Sequence, residues 1–281
     1  PDAAPRSPPQ PFRPADTMRL FQHLPTGRMP AGFPASALVA LAASLLTLFA
    51  PGVRDAIAAD GLPLCTQPFD QFAPVAAPDG AGGMYVAWLD KRHGFTTDVF
   101  LQRISSSLQR LPGWPDGGVG MTYVTCSKAD LVLAADSGGV FAAWSDNRCD
   151  VSVGFDIYVD RFTSQGSRAG GWPLQGRALQ LASGNQARPV ISPDGGGGLY
   201  VVWTDVATVP GRLVSQHVLA NGTIDPAWPA TGLVLATAVP DSATASVAPD
   251  GAGGMFVAWQ DARGTDTDIW MQRLKSDGQP A

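Results

Sequence analysis

The stretch Pro249 to Leu274, PDGAGGMFVAWQDARGTDTDIWMQRL, is one of four copies of a single unit. The others begin at Pro78 (PDGAGGMYVAWLDKRHGFTTDVFLQRI), Ala135 (ADSGGVFAAWSDNRCDVSVGFDIYVDRF) and Pro193 (PDGGGGLYVVWTDVATVPGRLVSQHVL). A unit used four times constrains the fold more than any composition does. Each copy must be one supersecondary element that completes its core against its neighbours.

Each copy opens on Asp-Gly or a near relative plus further glycines, which supply the positive φ angles of a tight hairpin. After the turn come Met84–Trp88, Val140–Trp144, Leu199–Trp203 and Met255–Trp259, short apolar runs with aromatic and β-branched residues. Such runs read as strands buried on both faces. Upstream lie Pro74–Ala77, Leu131–Ala134, Pro189–Ser192 and Ala245–Ala248, the inner strands of the hairpins. Downstream, the segments starting at Asp98, Asp156, Leu213 and Asp268 give third strands. Fourth strands follow the Trp-Pro turns at Trp114, Trp172 and Trp228, beginning near Gly118, Gly176 and Gly232.

Trp88, Trp144, Trp203 and Trp259 recur every 56 to 59 residues. That period fits four antiparallel strands with long loops and is too long for a strand-built solenoid, whose coils repeat at roughly 20 to 30 residues. The expected architecture is an all-β propeller of four-stranded blades, with units at about 67–125, 126–184, 185–240 and 241–281. Gly61-Leu-Pro-Leu-Cys65 matches the start of other fourth strands, such as Gly232-Leu-Val-Leu-Ala236. Two accounts follow: Gly61–Thr66 closes a four-bladed ring beside the last unit, or the chain is a fragment of a larger propeller.

The N-terminus is of another kind. Residues 1–17 are Pro-rich and expected to be disordered or upstream of the true start. Residues 18–58 read as a signal peptide: Arg19 and Arg28 precede the apolar run Ala35–Ala50, and Ala56-Ile57-Ala58 offers small residues for cleavage near Ala59. The run is shorter than the roughly 20 residues of a spanning helix, so no stable membrane span is expected in the mature chain. Leu64 before Cys65 does not fit a lipoprotein signal. The propeller domain is then 59–281, and the expected location is secreted, periplasmic or at the cell surface.

Charged residues make up 15% of the chain, and Glu is absent. Without Glu, and with little Lys, few helices are expected. A net charge of −5 gives no electrostatic reason to bind nucleic acid.

Three units carry Trp-x-Asp-x-Arg and a later Asp, giving Arg92 with Asp98, Arg148 with Asp156 and Arg263 with Asp268. The third unit has Ala207 and Arg212 at those places. Joint loss of both members suggests structural ion pairs across the loop between second and third strands. The competing reading makes Asp90, Arg92, His93, Asp146, Arg148, Asp205, Asp261 and Arg263 a ligand-contacting face. Cys126 and Cys149 reach that face and are candidates for a disulfide, leaving Cys65 over. Asp261–Asp268 has oxygen ligands suited to calcium but no known calcium spacing, so no cofactor is assigned. His23, His93 and His217 sit at unrelated positions, and neither a metal cluster nor a Ser-His-Asp arrangement can be built from them.

The Asp-Gly-x-Gly-Gly…Trp-x-Asp-x-Arg…Asp-Ile-Tyr unit resembles those of secreted bacterial β-propeller repeat proteins, over Gly61 to Leu274. The likeness to sialidases is distant: their Ser-x-Asp-x-Gly-x-Thr-Trp box is missing, and without Glu there is no Tyr-Glu nucleophile pair. The reading is an exported binding or scaffold module with no catalytic constellation, its partner a protein or glycan left unidentified. The alternative is an extracellular carbohydrate-active enzyme working through Asp residues, which a retaining glycosidase would need as a pair.

Overall fold

The computed structural model describes residues 61–94, 96–124, 126–148, 154–181, 183–240 and 243–281. The N-terminal segments 1–17 and 18–58 and Cys149 lie outside the described residues. Fifteen strands and no helix occur among the described residues.

They form consecutive antiparallel sheets in which each strand pairs with its neighbour in sequence. Blade one contains β1 (Gln71–Pro78), β2 (Met84–Asp90), β3 (Asp98–Ile104) and β4 (Val119–Gly120). Blade two contains β5 (Lys128–Asp136), β6 (Gly139–Asp146), β7 (Asp156–Thr163) and β8 (Arg177–Ala178). Blade three contains β9 (Gln186–Pro193), β10 (Leu199–Asp205), β11 (Gly211–Val218) and β12 (Leu233–Val239). The last sheet, β13 (Ala245–Pro249), β14 (Met255–Asp261) and β15 (Asp268–Leu274), has three strands. The inner strands β1, β5, β9 and β13 neighbour one another in that order, the arrangement of blades in a β-propeller.

Three apolar seams join the blades, and alternation along each second strand explains them. In β2, Tyr85, Ala87 and Leu89 face β6's Val140, Ala142 and Trp144. The other face of β6, Phe141 and Ala143, meets Leu199, Val201 and Trp203 of β10. Tyr200 and Val202 then meet Met255, Val257 and Trp259 of β14.

The Trp-Pro turns do more than reverse the chain. Trp114 Nε1 donates to Ser164 O (3.2 Å), Trp172 Nε1 to Ala220 O (3.0 Å) and Trp228 Nε1 to Ser276 O (3.0 Å), so each indole fastens its blade to the next. Just after these turns, Gly118, Gly176 and Gly232 have φ of 84° to 85°. A Cβ on Gly176 would lie 2.8 Å from Trp144 Cη2, so the position needs both positive φ and a bare backbone.

The closing strand expected at Gly61–Thr66 is not formed. Those residues belong to no strand, and among the described residues β15 has no partner beyond β14. Leu62, Pro63 and Leu64 lie instead beside Met84, Val86 and Ile104 of blade one. Cys65 Sγ accepts from Arg92 Nη2 (3.3 Å), which draws the segment along that blade.

Candidate functional site

The loops between second and third strands gather on one face, together with the starts of the inner strands. There the Trp-x-Asp-x-Arg motif forms a clasp. Asp90 Oδ1 accepts the Arg92 N–H (2.8 Å), while its Oδ2 accepts Trp88 Nε1 (2.8 Å) and Arg92 Nη2 (2.6 Å). Asp146 binds Trp144 Nε1 (3.1 Å), the Arg148 N–H (3.0 Å) and Arg148 Nε (3.1 Å). Asp261 binds Trp259 Nε1 (2.9 Å) and Arg263 Nη2 (2.5 Å).

The arginines therefore pair with the aspartate two residues earlier, correcting the expected pairs Arg92–Asp98, Arg148–Asp156 and Arg263–Asp268. The cause is local. An Asp side chain accepting the N–H two residues on makes a tight turn that brings the next side chain back over it. The later aspartates sit directly across the ladder, Asp98 opposite Asp90 and Asp156 opposite Asp146, and require partners of their own. Asp98 has His93 Nδ1 at 2.9 Å and the buried Lys128 Nζ at 3.9 Å. Gln186, with its amide nitrogen turned inward, donates to Asp156 Oδ1 (2.7 Å). Asp268 is exposed.

The aromatic of the Asp-Ile-Tyr motif is the platform for the guanidinium. Arg92 lies over Phe100 (3.6 Å to the centroid), Arg148 over Tyr158 (3.9 Å) and Arg263 over Trp270 (3.9 Å). Blade three differs as a set. Arg212 stands directly opposite Asp205, pairs with its Oδ2, and has Val214 where the others carry the aromatic. What looked like a joint loss is an arginine moved across the ladder. Trp203 Nε1 is left buried with no partner among the described residues.

Because Asp90, Asp146, Asp205 and Asp261 are buried and engaged in this way, their carboxylates are not presented to solvent. Burial would raise Asp90, but hydrogen bonds from Arg92 and Trp88 outweigh it and hold the carboxyl below its ordinary value. Asp261 is held at about 2, chiefly by its hydrogen bonds from Arg263. Burial lowers Lys128 despite Asp146 and Asp98 nearby; its Nζ donates to Thr97 O and Val124 O (both 2.7 Å) and stitches blades one and two. Cys126 is disulfide-bonded and Cys65 is a free thiol. Among the described residues no three potential metal ligands come together.

Sequence reasoning missed a second feature of this face. Between blades two and three lies a cavity of about 490 Å³, lined by Asp130, Ser145, Phe155, Asn185, Gln186 and Arg188 among others. Bulges near the starts of the inner strands put Ala73 (φ 50°), Asp130 (φ 52°) and Arg188 (φ 54°) in the left-handed region at equivalent places. The fold thus repeats a backbone position while the side chain changes from apolar to acidic to basic. Asp130 Oδ2 accepts from Ser145 Oγ (2.9 Å) and from the Arg188 N–H (3.0 Å), tying the two blades together. Asn185 Oδ1 accepts the Phe155 N–H (3.0 Å), and the Gln186 N–H donates to Phe155 O (2.7 Å), so the aromatic residue at the mouth is held by its backbone. Counting back five residues from Pro78, Ala135, Pro193 and Pro249 would have exposed the Ala73/Asp130/Arg188/Thr244 variation.

No family model and no curated protein matches the chain. Among solved structures it is similar to an endo-arabinase from Bacteroides thetaiotaomicron (13% identity, TM-score 0.41, covering 74% of this chain and 76% of that one). It is similar also to a thermostable family-43 glycoside hydrolase (14%, 0.42, 76% and 75%) and to an endo-1,4-beta-xylanase from Bacteroides thetaiotaomicron (9%, 0.40, 77% and 76%).

Proposed function

We propose that the chain is an exported β-propeller module that binds a saccharide in the cavity between blades two and three. The observation that carries this reading is the Asp130/Arg188 pair, placed by two equivalent bulges at the mouth of one cavity beside Ser145, Asn185 and Phe155. Sugars present hydroxyls that donate and accept at once, together with an apolar C–H face. A carboxylate, an amide and a guanidinium grouped with one aromatic ring answer both surfaces. The Arg19/Arg28 and Ala35–Ala50 pattern supports export.

A second reading is a sugar-cleaving enzyme, the activity for which the solved structures above are named. It would fall to Asp130, with Asp156 behind Gln186 as the other carboxylate. One experiment separates the two. The protein, its Asp130→Asn and its Arg188→Gln variants are titrated with arabinan, xylan and mannan oligosaccharides by calorimetry, and the mixtures are then assayed for new reducing ends. Binding weakened at least about tenfold in both variants, with no new reducing ends, is the expected result. Release of reducing ends that Asp130→Asn abolishes would make the chain an enzyme. Equal binding by all three proteins would remove the cavity from consideration.

A further inference from the structure

We propose that His217 is a proton-operated latch on the third seam: with both ring nitrogens protonated it fixes the Trp-Pro turn of blade three against the last unit, and on losing one proton it releases that turn. This inference is independent of the saccharide reading. It starts from a paired exchange in blade three. By repeat position His217 stands where the other units have Arg103, Arg161 and Arg273, and Asp225 stands where blades one and two have Leu111 and Ala169. The two exchanged residues meet. His217, with its side chain 7% exposed, has Nδ1 at 2.8 Å from Asp225 Oδ2 and Nε2 at 3.0 Å from Asp194 Oδ2. Both ring nitrogens thus face carboxylate oxygens, which accept and do not donate. The imidazolium satisfies both. The neutral ring has one N–H, and its other nitrogen turns a lone pair on a carboxylate, so one contact must open. Asp194 is held by two further N–H groups, Gly196 (2.7 Å) and Gly198 (2.8 Å), and Asp225 by that of Ala227 (2.9 Å), so Asp225 is the partner that yields. Asp225 O accepts the Trp228 N–H (3.0 Å), which couples the Trp-Pro turn to its movement.

The same ring is the hub of two bonds across the seam. Tyr200, directly opposite on the ladder, stacks on it with centroids 4.4 Å apart, and Trp228 packs at 6.1 Å. Tyr200 Oη donates to Gly253 O (2.6 Å) and Trp228 Nε1 to Ser276 O (3.0 Å), both in the last unit. In the first two seams the arginine at this position crosses by itself: Arg103 Nη1 donates to Ser164 O (3.0 Å) and Arg161 to Gly197 O. Arginine keeps its charge, so those seams have no such release. The charged groups around the ring are Asp194 on the hairpin before β10, Asp225 on the turn, Asp250 and Asp277 from the last unit with Arg273 on Asp250, and Arg161 from blade two at Gly197 of the hairpin. Burial would raise Asp194, but hydrogen bonds from His217, Gly196 and Gly198 outweigh it and hold the carboxyl below its ordinary value. Asp225 is held low in the same way by Ala227 and His217. Burial and the surrounding aspartates raise Tyr200 to about 12. Between about pH 5 and 8, Asp194 and Asp225 therefore stay ionised and Tyr200 stays protonated, and the imidazole is the member of the cluster that changes charge.

The test reads the three seams side by side. In the isotope-labelled protein, solvent exchange of the tryptophan indole N–H groups is followed by NMR across that pH range and corrected for the pH dependence of free indole, with Trp114 and Trp172 as references in the first two seams. The expected result is that protection of Trp228 falls about tenfold or more as pH rises, with the midpoint of the His217 ring signals, while Trp114 and Trp172 show no such step. Two variants should each remove the step. His217→Arg restores the residue of the other units, and Asp225→Asn offers the neutral ring an amide N–H that a carboxylate lacks. Circular dichroism checks the strand content of both, and if one fails to fold the other decides. A Trp228 profile parallel to those of Trp114 and Trp172 overturns the proposal. So does a step that persists in either folded variant, which would assign it to another group.

Discussion

Arg212 in blade three offers a quantitative test of the clasp. Asp205 is buried, with Arg212 on its Oδ2 and the Ala207 N–H on its Oδ1 at 3.0 Å. Removing the cation paired with a buried carboxylate costs about 3 to 5 kcal/mol. Arg212 is 36% exposed, so water reaches the site and the figure falls to about 2 kcal/mol. Arg212→Ala also frees Oδ2 for Trp203 Nε1, now buried without a partner, which returns about 1 kcal/mol. The net expected loss is about 1 kcal/mol. Ala207→Arg, placed where Arg92, Arg148 and Arg263 stand in their units, should then rebuild the clasp of the other blades. Val214 provides no aromatic platform, so the rescue is incomplete by about 0.5 kcal/mol. In the wild type the same Ala207→Arg change brings two arginines to one carboxylate and should be neutral or unfavourable. The four proteins form a cycle measured by urea denaturation with tryptophan fluorescence at constant m. A coupling energy of about 0.5 kcal/mol or more is expected; effects adding within about 0.3 kcal/mol would refute the argument.

Three further outcomes can be checked. Gly176→Ala should destabilise blade two by about 2 kcal/mol or more in thermal melts, because its φ is 84° and the new methyl meets the Trp144 ring; an unchanged melt would contradict the packing. Trp172→Phe removes the indole bond to Ala220 O and should cost about 1 kcal/mol, read from urea midpoints; no loss would show that the indole does not fasten the blades. Burial raises Asp160 from 3.8 to about 6 although Arg168 opposes it, so the folded state holds its proton more tightly than the unfolded one. Its contribution is therefore complete below pH 3.8 and is lost as pH rises through about 6, amounting to about 3 kcal/mol at about 1.4 kcal/mol per pH unit. Asp160→Asn should flatten that interval of the stability curve, and parallel curves for the two proteins would sink the claim.

The architecture was legible because it is written four times. Glycine-rich hairpins, alternating runs ending in Trp and a period of 56 to 59 residues are local or periodic properties, and local sterics with alternation suffice to derive strands and blades from them. The sequence even marked the residues of the clasp, Trp, Asp, Arg and the later aromatic. It could not say which aspartate each arginine meets, because ladder register and side-chain return over two residues are spatial facts: Asp90 and Asp98 are both near Arg92 in sequence and only one bonds to it. It could not show that Asp130 and Arg188, 58 residues apart, share one cavity, since that depends on two bulges and on how adjacent blades approach. Nor could it decide the fate of Gly61–Thr66, whose pattern suits an outer strand but which runs beside blade one, where Cys65 accepts from Arg92. By itself the sequence determined the repeating unit, because backbone preference and hydrophobic pattern act within a few residues. The tertiary structure alone decided partners and cavity, because those depend on distances between units that chain position does not encode.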